Sequence, residues 1–254
     1  MNKISVITIC YNAADSIAAT MYSVLNQSYE DLEYIIVDGK SKDNTIAVVD
    51  DVTKKYPQRC VKIISEADRG IYDAMNKGIK MASGEWVCMM NAGDRFASNN
   101  VLRDIFQMPI DENIAFLYSD LYKMTSYGKM FRVNMFCDEH TRRLVHQCVI
   151  YRKKLHNEYG YYAVTPKLII SDYLFFLQVP TEQIKKVDTI IAIYEGAGVS
   201  EAGTWCKKQI LCADVVFRYR SFWKIYIDFA AWKLKTCLPK RMREKIRLKL
   251  SGVN

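Results

Sequence analysis

Two aspartates close apolar runs. Asp38 ends LEYIIVD and opens the polar stretch GKSKDNT, and Asp94 ends NAGD directly after WVCMM. A third run, ISVITI, empties into CYN at 10–12. Continuous apolar, β-branched runs of this length read as buried strands, and each here gives way to turn-forming residues. In an open α/β sheet the carboxyl ends of the strands converge on one crevice, where ligands bind. Asp38 and Asp94 would then meet although they are far apart in sequence. Two carboxylates at such an edge suit a metal-bound, phosphate-bearing substrate, because a hard divalent ion takes oxygen ligands.

The elements that must position these residues can be read in order. Lys3–Ile9 is a strand, and Asp15 or Ser16 can cap a helix over Ile17–Asn26. Leu32–Val37 is a second strand, Thr45–Tyr56 a helix and Val61–Ser65 a third strand. Ile71–Ala82 places Ile71, Ala74, Met75, Ile79 and Ala82 on one helical face, and Gly84 stops it. Trp86–Met90 is a fourth strand. Strands alternating with helices predict a largely parallel sheet with right-handed crossovers.

After about residue 110 the rhythm changes. Ala115–Ser119 reads as a strand, and Leu121–Thr125 with Lys129–Val133 as a hairpin through Ser126–Gly128. Gln147–Tyr151 is another strand. Ser171 can cap a helix over Asp172–Val179, and Ile184–Tyr194 carries further strand. From Thr204 the pattern is helical and basic. The expected organisation is one α/β domain over 1–203 and a helical extension over 204–254.

Composition narrows the classes. Of 254 residues half are hydrophobic and a quarter charged, as in an ordinary folded protein with one substantial core. The net charge of +8 is unevenly placed: residues 204–254 hold 13 Lys/Arg against 3 Asp/Glu, the rest 23 against 25. The basicity therefore belongs to the C-terminal segment. Eight cysteines without a CxxC pair read as free thiols in a reducing compartment. No secretory signal is visible, and no run approaches the ~20 apolar residues a spanning helix needs. The expected location is the cytoplasm.

Taken together, TICYN, VDGKSKDNT, SEADRGIYDAMNKGI and GEWVCMMNAGDRF resemble family 2 glycosyltransferases of the GT-A fold, a Rossmann-like, mostly parallel sheet flanked by helices. The nearest likeness is to bacterial enzymes that build surface polysaccharides, the colanic-acid type among them. The resemblance is strong over residues 1–100, thinner to about 200, and says little about the last fifty. It implies an inverting transfer from a nucleotide-sugar donor, a UDP-sugar by expectation, to a saccharide acceptor, which a polyprenyl diphosphate can carry.

The resemblance also assigns positions. Thr8, Tyr11, Asp38, Asp68, Gly70, Asp73, Lys77 and Asn91 would lie against the donor, with Tyr11 under the base and Asp38 bonded to it. The plainer readings are a packed loop tyrosine, an Asp capping its own turn, and, for Asp73 and Lys77, a surface i,i+4 ion pair. Asp94 would reach a Mn²⁺ or Mg²⁺ ion, although Gly93 stands where the family often has a second acid. Asp172 in ISDYLFF is the expected base, with Asp120 in reserve; each could instead serve only its own cap or turn. His146 and Gln147 would contact acceptor or diphosphate. The stretch EGAGVSE at 195–201 reads as a mobile loop over the donor.

In the C-terminal segment Phe222, Trp223, Tyr226, Phe229 and Trp232 can cluster on a helix flanked by Lys and Arg. That suits an anionic membrane surface through residues 221–254, on the inner face of the cytoplasmic membrane. The plainer reading is an amphipathic helix packed on the domain or on a second copy in a homodimer. Nucleic acid is not expected, since no recognition motif accompanies the charge. Two rival classes remain: a nucleotide-sugar-binding protein without turnover, and a nucleotidyltransferase. The latter would want a Gly-rich, basic loop after the first strand, and CYNAADS is not one.

Overall fold

The computed structural model describes residues 2–139, 142–195, 204–217 and 221–250. The first half follows the predicted alternation: β1 (Ile4–Cys10), α1 (Ile17–Leu25), β2 (Leu32–Asp38), α2 (Thr45–Thr53), β3 (Cys60–Ser65), α3 (Ile71–Met81) and β4 (Trp86–Met89). After β5 (Arg95–Phe96) and α4 (Val101–Phe106) come β6 (Phe116–Tyr118), β7 (Leu121–Met124), β8 (Met130–Val133), β9 (Phe136–Cys137) and β10 (Arg142–Arg143). Then follow β11 (Val149–Arg152), α5 (Leu155–Tyr159), α6 (Ser171–Gln178), β12 (Ile184–Lys186) and β13 (Ala192–Tyr194). Three helices follow: α7 (Thr204–Val216), α8 (Phe222–Thr236) and α9 (Lys240–Leu250).

The central sheet has the order β12-β6-β11-β4-β1-β2-β3. Its neighbours are parallel except for β11, which runs antiparallel to both β4 and β6. That reversal matters for the site, because the amino end of β11 meets the carboxyl end of β4. A smaller sheet, β5-β13-β7-β8, contains the predicted hairpin.

Side-chain alternation along β1 divides the core in two. Ile4, Val6 and Cys10 pack with α1, α2 and α4, whereas Ile7 and Ile9 pack with α3, α5 and α6. The sheet is therefore buried on both faces, which is why its strands read as continuous apolar runs. A third cluster joins Ile170, Tyr173 and Leu177 of the α6 region to Cys206 and Ala213 of α7. The eight cysteines are free thiols, with Cys10, Cys88, Cys148 and Cys206 buried.

The further strand expected within Ile184–Tyr194 is present as two: β12 pairs with β6 in the main sheet, and β13 pairs with β5 and β7 in the small one. Two local expectations are corrected. A one-turn 3₁₀ helix, His146–Cys148, occupies the start of the expected strand at 147–151. Ser171 and Ser16 do not cap their helices through their side chains; Ser171 lies inside the first turn of α6.

One buried acid at the amino edge of the sheet has no sequence signature. Glu33 is 1 % exposed and accepts hydrogen bonds from Ser5, Ser83 and Gly84, with Lys62 Nζ at 2.9 Å. Burial pushes its carboxyl up, but bonds from Ser5, Lys62 and Ser83 outweigh it and hold the pKa near about 2. A depressed carboxyl contributes stability above its ordinary value, 4.5, that is lost as pH falls through 2. Glu33→Gln should therefore cost ~2–3 kcal/mol at neutral pH and nothing near pH 2. Urea unfolding at both pH values checks this; an equal cost at both would contradict it.

Candidate active site

The strand ends bring the site together. Tyr11 follows β1 and is 58 % exposed, its ring free on the surface. Asn12 takes a left-handed φ of 49°, accepts from Lys42 N at 2.8 Å and donates its own N–H to Ser41 Oγ. The two loops are laced together by these bonds. Gly39 faces Tyr11 and Asp68: a Cβ there would stand 3.0 Å from Asp68 Oδ2 and 3.3 Å from Tyr11 Cδ2. Glycine thus keeps a slot open between an aromatic ring and a carboxylate.

Asp38 directly precedes that glycine and ends β2. It is fully buried and accepts from Ser41 N at 3.0 Å, from Ser41 Oγ and from Ser65 Oγ at 2.6 Å. Its carboxylate closes its own turn and ties β2 to β3. Thr8 is enclosed in the same way. It is fully buried, donates to Met90 O at 2.6 Å and pairs with Tyr34 Oη at 2.8 Å. Its position on β1 turns it to the α1 side with Val6 and Cys10, away from the edge.

The loop 66–70 leads into α3, with Gly70 at the helix entry. Lys77 holds this loop through Asp68, Glu66 (2.9 Å) and Ala67 O (2.8 Å). Asp73 accepts from Arg69 N at 3.0 Å and Arg69 Nη2 at 3.1 Å, and lies 3.9 Å from Lys77. Asp73 and Lys77 therefore shape the loop that presents Asp68, and the i,i+4 pair is the weakest of their contacts.

NAGD forms a tight turn after β4. Asp94 N donates to Asn91 O at 2.9 Å, and Gly93 has φ +99°, a conformation L side chains rarely adopt. An acid at 93 would strain this turn, which accounts for the departure from a paired-acid pattern. Thr20 of α1 fixes it, accepting from Gly93 N at 3.0 Å and donating to Asp94 O at 2.7 Å.

The reversed strand β11 then supplies the connection. Gln147 Nε2 donates to Asp94 Oδ2 at 2.9 Å. Its neighbour His146 places Nε2 2.8 Å from Asn91 Nδ2 and Nδ1 2.9 Å from Asp172 Oδ2. A carboxylate only accepts, so Nδ1 carries the proton and Nε2 accepts from the Asn91 amide. Asp172 Oδ1 accepts from Tyr72 Oη at 2.8 Å and from Tyr173 N at 2.9 Å. Asn91, His146, Asp172 and Tyr72 thus form one chain of hydrogen bonds, joined to Asp94 through adjacent residues of a single 3₁₀ turn. Asn91 Oδ1 is buried without a protein partner.

The two carboxylates are tuned in opposite directions. Burial pushes Asp94 up from 3.8 to about 6, only partly offset by Gln147 and His146. Burial raises Asp172 too, but the bonds from His146 and Tyr72 outweigh it and hold its carboxyl below the ordinary value. Carboxyls shifted by burial and by specific partners, in a strand-edge crevice, are candidates for a functional site. Among the described residues no three His, Cys, Asp or Glu side chains converge to form a metal site of their own.

Asp120 is occupied elsewhere. It is buried, bonds Arg132 at 2.7 Å, Lys186 at 2.7 Å and Met135 N at 2.9 Å, and so joins the small sheet to β12. Two cations lie on it, and the contact ties β8 to β12. Of the loop 195–201, Glu195 pairs with Arg95 at 3.0 Å, and residues 196–201 lie outside the described residues. Tyr72 was not foreseen. Its one signal was its place in the first turn of a helix entering the same edge.

A sequence model of glycosyl transferase family 2 matches residues 5–160. The chain is similar to a PGL/p-HBAD biosynthesis glycosyltransferase of Mycobacterium tuberculosis, 25% identical over 201 residues, 76% of this chain and 77% of that one. It is also similar to the Escherichia coli UDP-Glc:alpha-D-GlcNAc-diphosphoundecaprenol beta-1,3-glucosyltransferase WfaP, 30% identical over 122 residues, 48% of this chain and 47% of that relative. Among solved structures it resembles Staphylococcus aureus TarS in complex with UDP, with a TM-score of 0.66 at 18% identity, covering 97% of this chain and 70% of the other. The mannosyltransferase PcManGT of Pyrobaculum calidifontis, in complex with GDP-Man and Mn2+, superposes with a TM-score of 0.64 at 14% identity, covering 84% and 63%.

Proposed function

Because the chain belongs to glycosyl transferase family 2 and has the GT-A fold, we propose that it transfers a sugar, with inversion, from a UDP-sugar to a lipid-linked saccharide during surface-polysaccharide assembly. The observation that carries this reading is the hydrogen-bonded chain from Asn91 through His146 to Asp172, adjoining the Gln147–Asp94 contact. The UDP-Glc donor of WfaP and the UDP bound by TarS support a UDP-sugar, and the diphosphoundecaprenol acceptor of WfaP supports a lipid diphosphate.

The exposed Tyr11 ring offers a face for the base, next to the Gly39 slot and Asp68. The residues beyond it fit a hard divalent ion. Asp94 and the unpartnered Asn91 Oδ1 are oxygen donors, and the diphosphate and water complete the set, so Mn²⁺ or Mg²⁺ would be held by few protein ligands. The ion, when bound, offsets the negative charge of the diphosphate.

Asp172 accepts three hydrogen bonds, which leaves one lone-pair site of its carboxylate for the acceptor hydroxyl. The hydroxyl oxygen attacks C1 from the face opposite the diphosphate, its proton passes to Asp172, and the nucleoside diphosphate departs in one displacement. His146 and Tyr72 are positioning residues: they fix the carboxylate and keep it ionised.

The test is turnover with UDP-sugars, Mn²⁺ and a diphospholipid-linked saccharide. Acceptor-dependent release of UDP is expected. Pyrophosphate release would instead point to a nucleotidyltransferase, and binding without release to a non-catalytic protein. His146→Gln separates positioning from bulk structure. Loss of its Nδ1–H bond lets the Asp172 pKa rise, so the acidic limb of kcat/KM should move to higher pH with a ~10-fold lower plateau. An unmoved limb would remove His146 from this role.

A further inference from the structure

Helix α8 has no buried residue. Its half-buried positions, Ile225, Asp228, Phe229, Trp232 and Thr236, recur at helical spacing and define the inward face. Phe229 and Trp232 stack at 5.8 Å, and Lys208 of α7 lies 5.8 Å over the Phe229 ring. The aromatic set expected to act together is thus divided, with Phe229 and Trp232 turned toward the protein.

The opposite face carries Trp223, Ile227, Ala230 and Leu234, at i, i+4, i+7 and i+11. Trp223, Ile227 and Leu234 are 77%, 69% and 73% exposed. Phe222, Trp223 and Tyr226 form an exposed aromatic cluster beside this stripe, with centroids 5.3–6.5 Å apart. Lys224 and Lys235 rim it on one side and Lys233 on the other, all exposed. Helix α9 repeats the arrangement: Glu244 bonds Ser126 of the β7–β8 hairpin and Leu248 is buried, while Met242, Ile246, Lys245 and Lys249 are exposed.

We propose that the outward face of α8 is a docking surface for an anionic phospholipid bilayer, which it enters lying flat. Fifteen residues reach only ~22 Å, short of a bilayer's hydrocarbon core, and no described helix is long and apolar enough to cross one. An apolar stripe with bulky aromatics and a cationic rim suits the headgroup boundary. Charge selects lipid over a second copy of the chain. In a two-fold contact through this stripe the lysine rims would lie close to one another and repel, whereas an anionic leaflet neutralises them. The surplus of ten basic residues in 204–254 acts in the same direction. The proposal stands independently of the transferase reading.

The experiment is co-sedimentation of the full chain with vesicles of phosphatidylcholine alone or mixed with phosphatidylglycerol, with UDP binding measured separately. Selective partition onto the anionic vesicles is expected. Trp223→Glu with Ile227→Glu should lower it at least ~10-fold, and Lys224→Gln, Lys233→Gln and Lys235→Gln together by ~100-fold, each lysine contributing about fivefold. All five sites are exposed, so unchanged melting and UDP binding should accompany the loss. Equal partition onto both vesicle types, or undiminished binding by the glutamate variant, would overturn the proposal. So would a glutamate variant that turns a dimer into a monomer without altering vesicle binding, since that outcome gives the stripe to a second copy.

Discussion

Asp172→Asn is expected to lower kcat with a UDP-sugar by ~10³–10⁴-fold while leaving the affinity for UDP and Mn²⁺ nearly unchanged. The amide is isosteric and can still accept from Tyr72 Oη and Tyr173 N through its oxygen, so the geometry at α6 should survive. What it loses is the negative charge and the lone pair facing the acceptor. Because the amide nitrogen cannot accept from His146 Nδ1–H, a small further cost should appear in stability. Single-turnover transfer beside equilibrium UDP binding checks both halves. Retention of more than about a tenth of the wild-type rate would exclude Asp172 as the base.

Asp94→Asn should have the second largest effect, with opposite signs on stability and binding. Burial raises the folded-state pKa of Asp94 to about 6 from 3.8, so the native chain holds this proton longer than the unfolded chain. The ligand-free protein is therefore destabilised as pH rises from 3.8 to about 6, by up to ~3 kcal/mol. Removing the charge removes that penalty. Above pH 6 the ligand-free variant should melt several degrees higher than wild type, and near pH 4 the two should coincide. Metal-dependent UDP binding should be lost in the same variant. In wild type it should weaken ~10-fold per pH unit below 6, as a proton competes with the ion for the carboxylate. Thermal melts and UDP titrations with and without Mn²⁺ across pH 4–8 test both. Undiminished Mn²⁺-dependent binding by the variant would end the assignment of Asp94 to the metal.

Much of the architecture is legible in the chain because the signals are local and repeated. The runs ISVITI, LEYIIV and WVCMM are mostly apolar since their strands are buried on both faces, with Ser5, Thr8 and Glu33 the buried polar exceptions. The glycine of NAGD and the polar turns after each strand mark the ligand edge in the same local way. Asp94, Asp172, His146 and Gln147 were legible as candidates through their motifs, and they do assemble at that edge.

What the chain could not announce is which groups face one another. Asp38 and Thr8 sit at strand positions that suit a ligand, yet packing against Ser65 and Tyr34 turns both inward. Asp120 has the local look of a catalytic acid, but Arg132 and Lys186 reach it from other elements. Glu33 looks like any strand glutamate until Ser5, Lys62 and Ser83 close around it. Tyr72 meets Asp172 across a hundred residues, through the abutting first turns of two helices. Strand and helix identity follows from a residue's neighbours in sequence. The protonation and direction of a side chain follow from neighbours in space, and at Asp94 the antiparallel insertion of β11 among parallel strands helps bring those together.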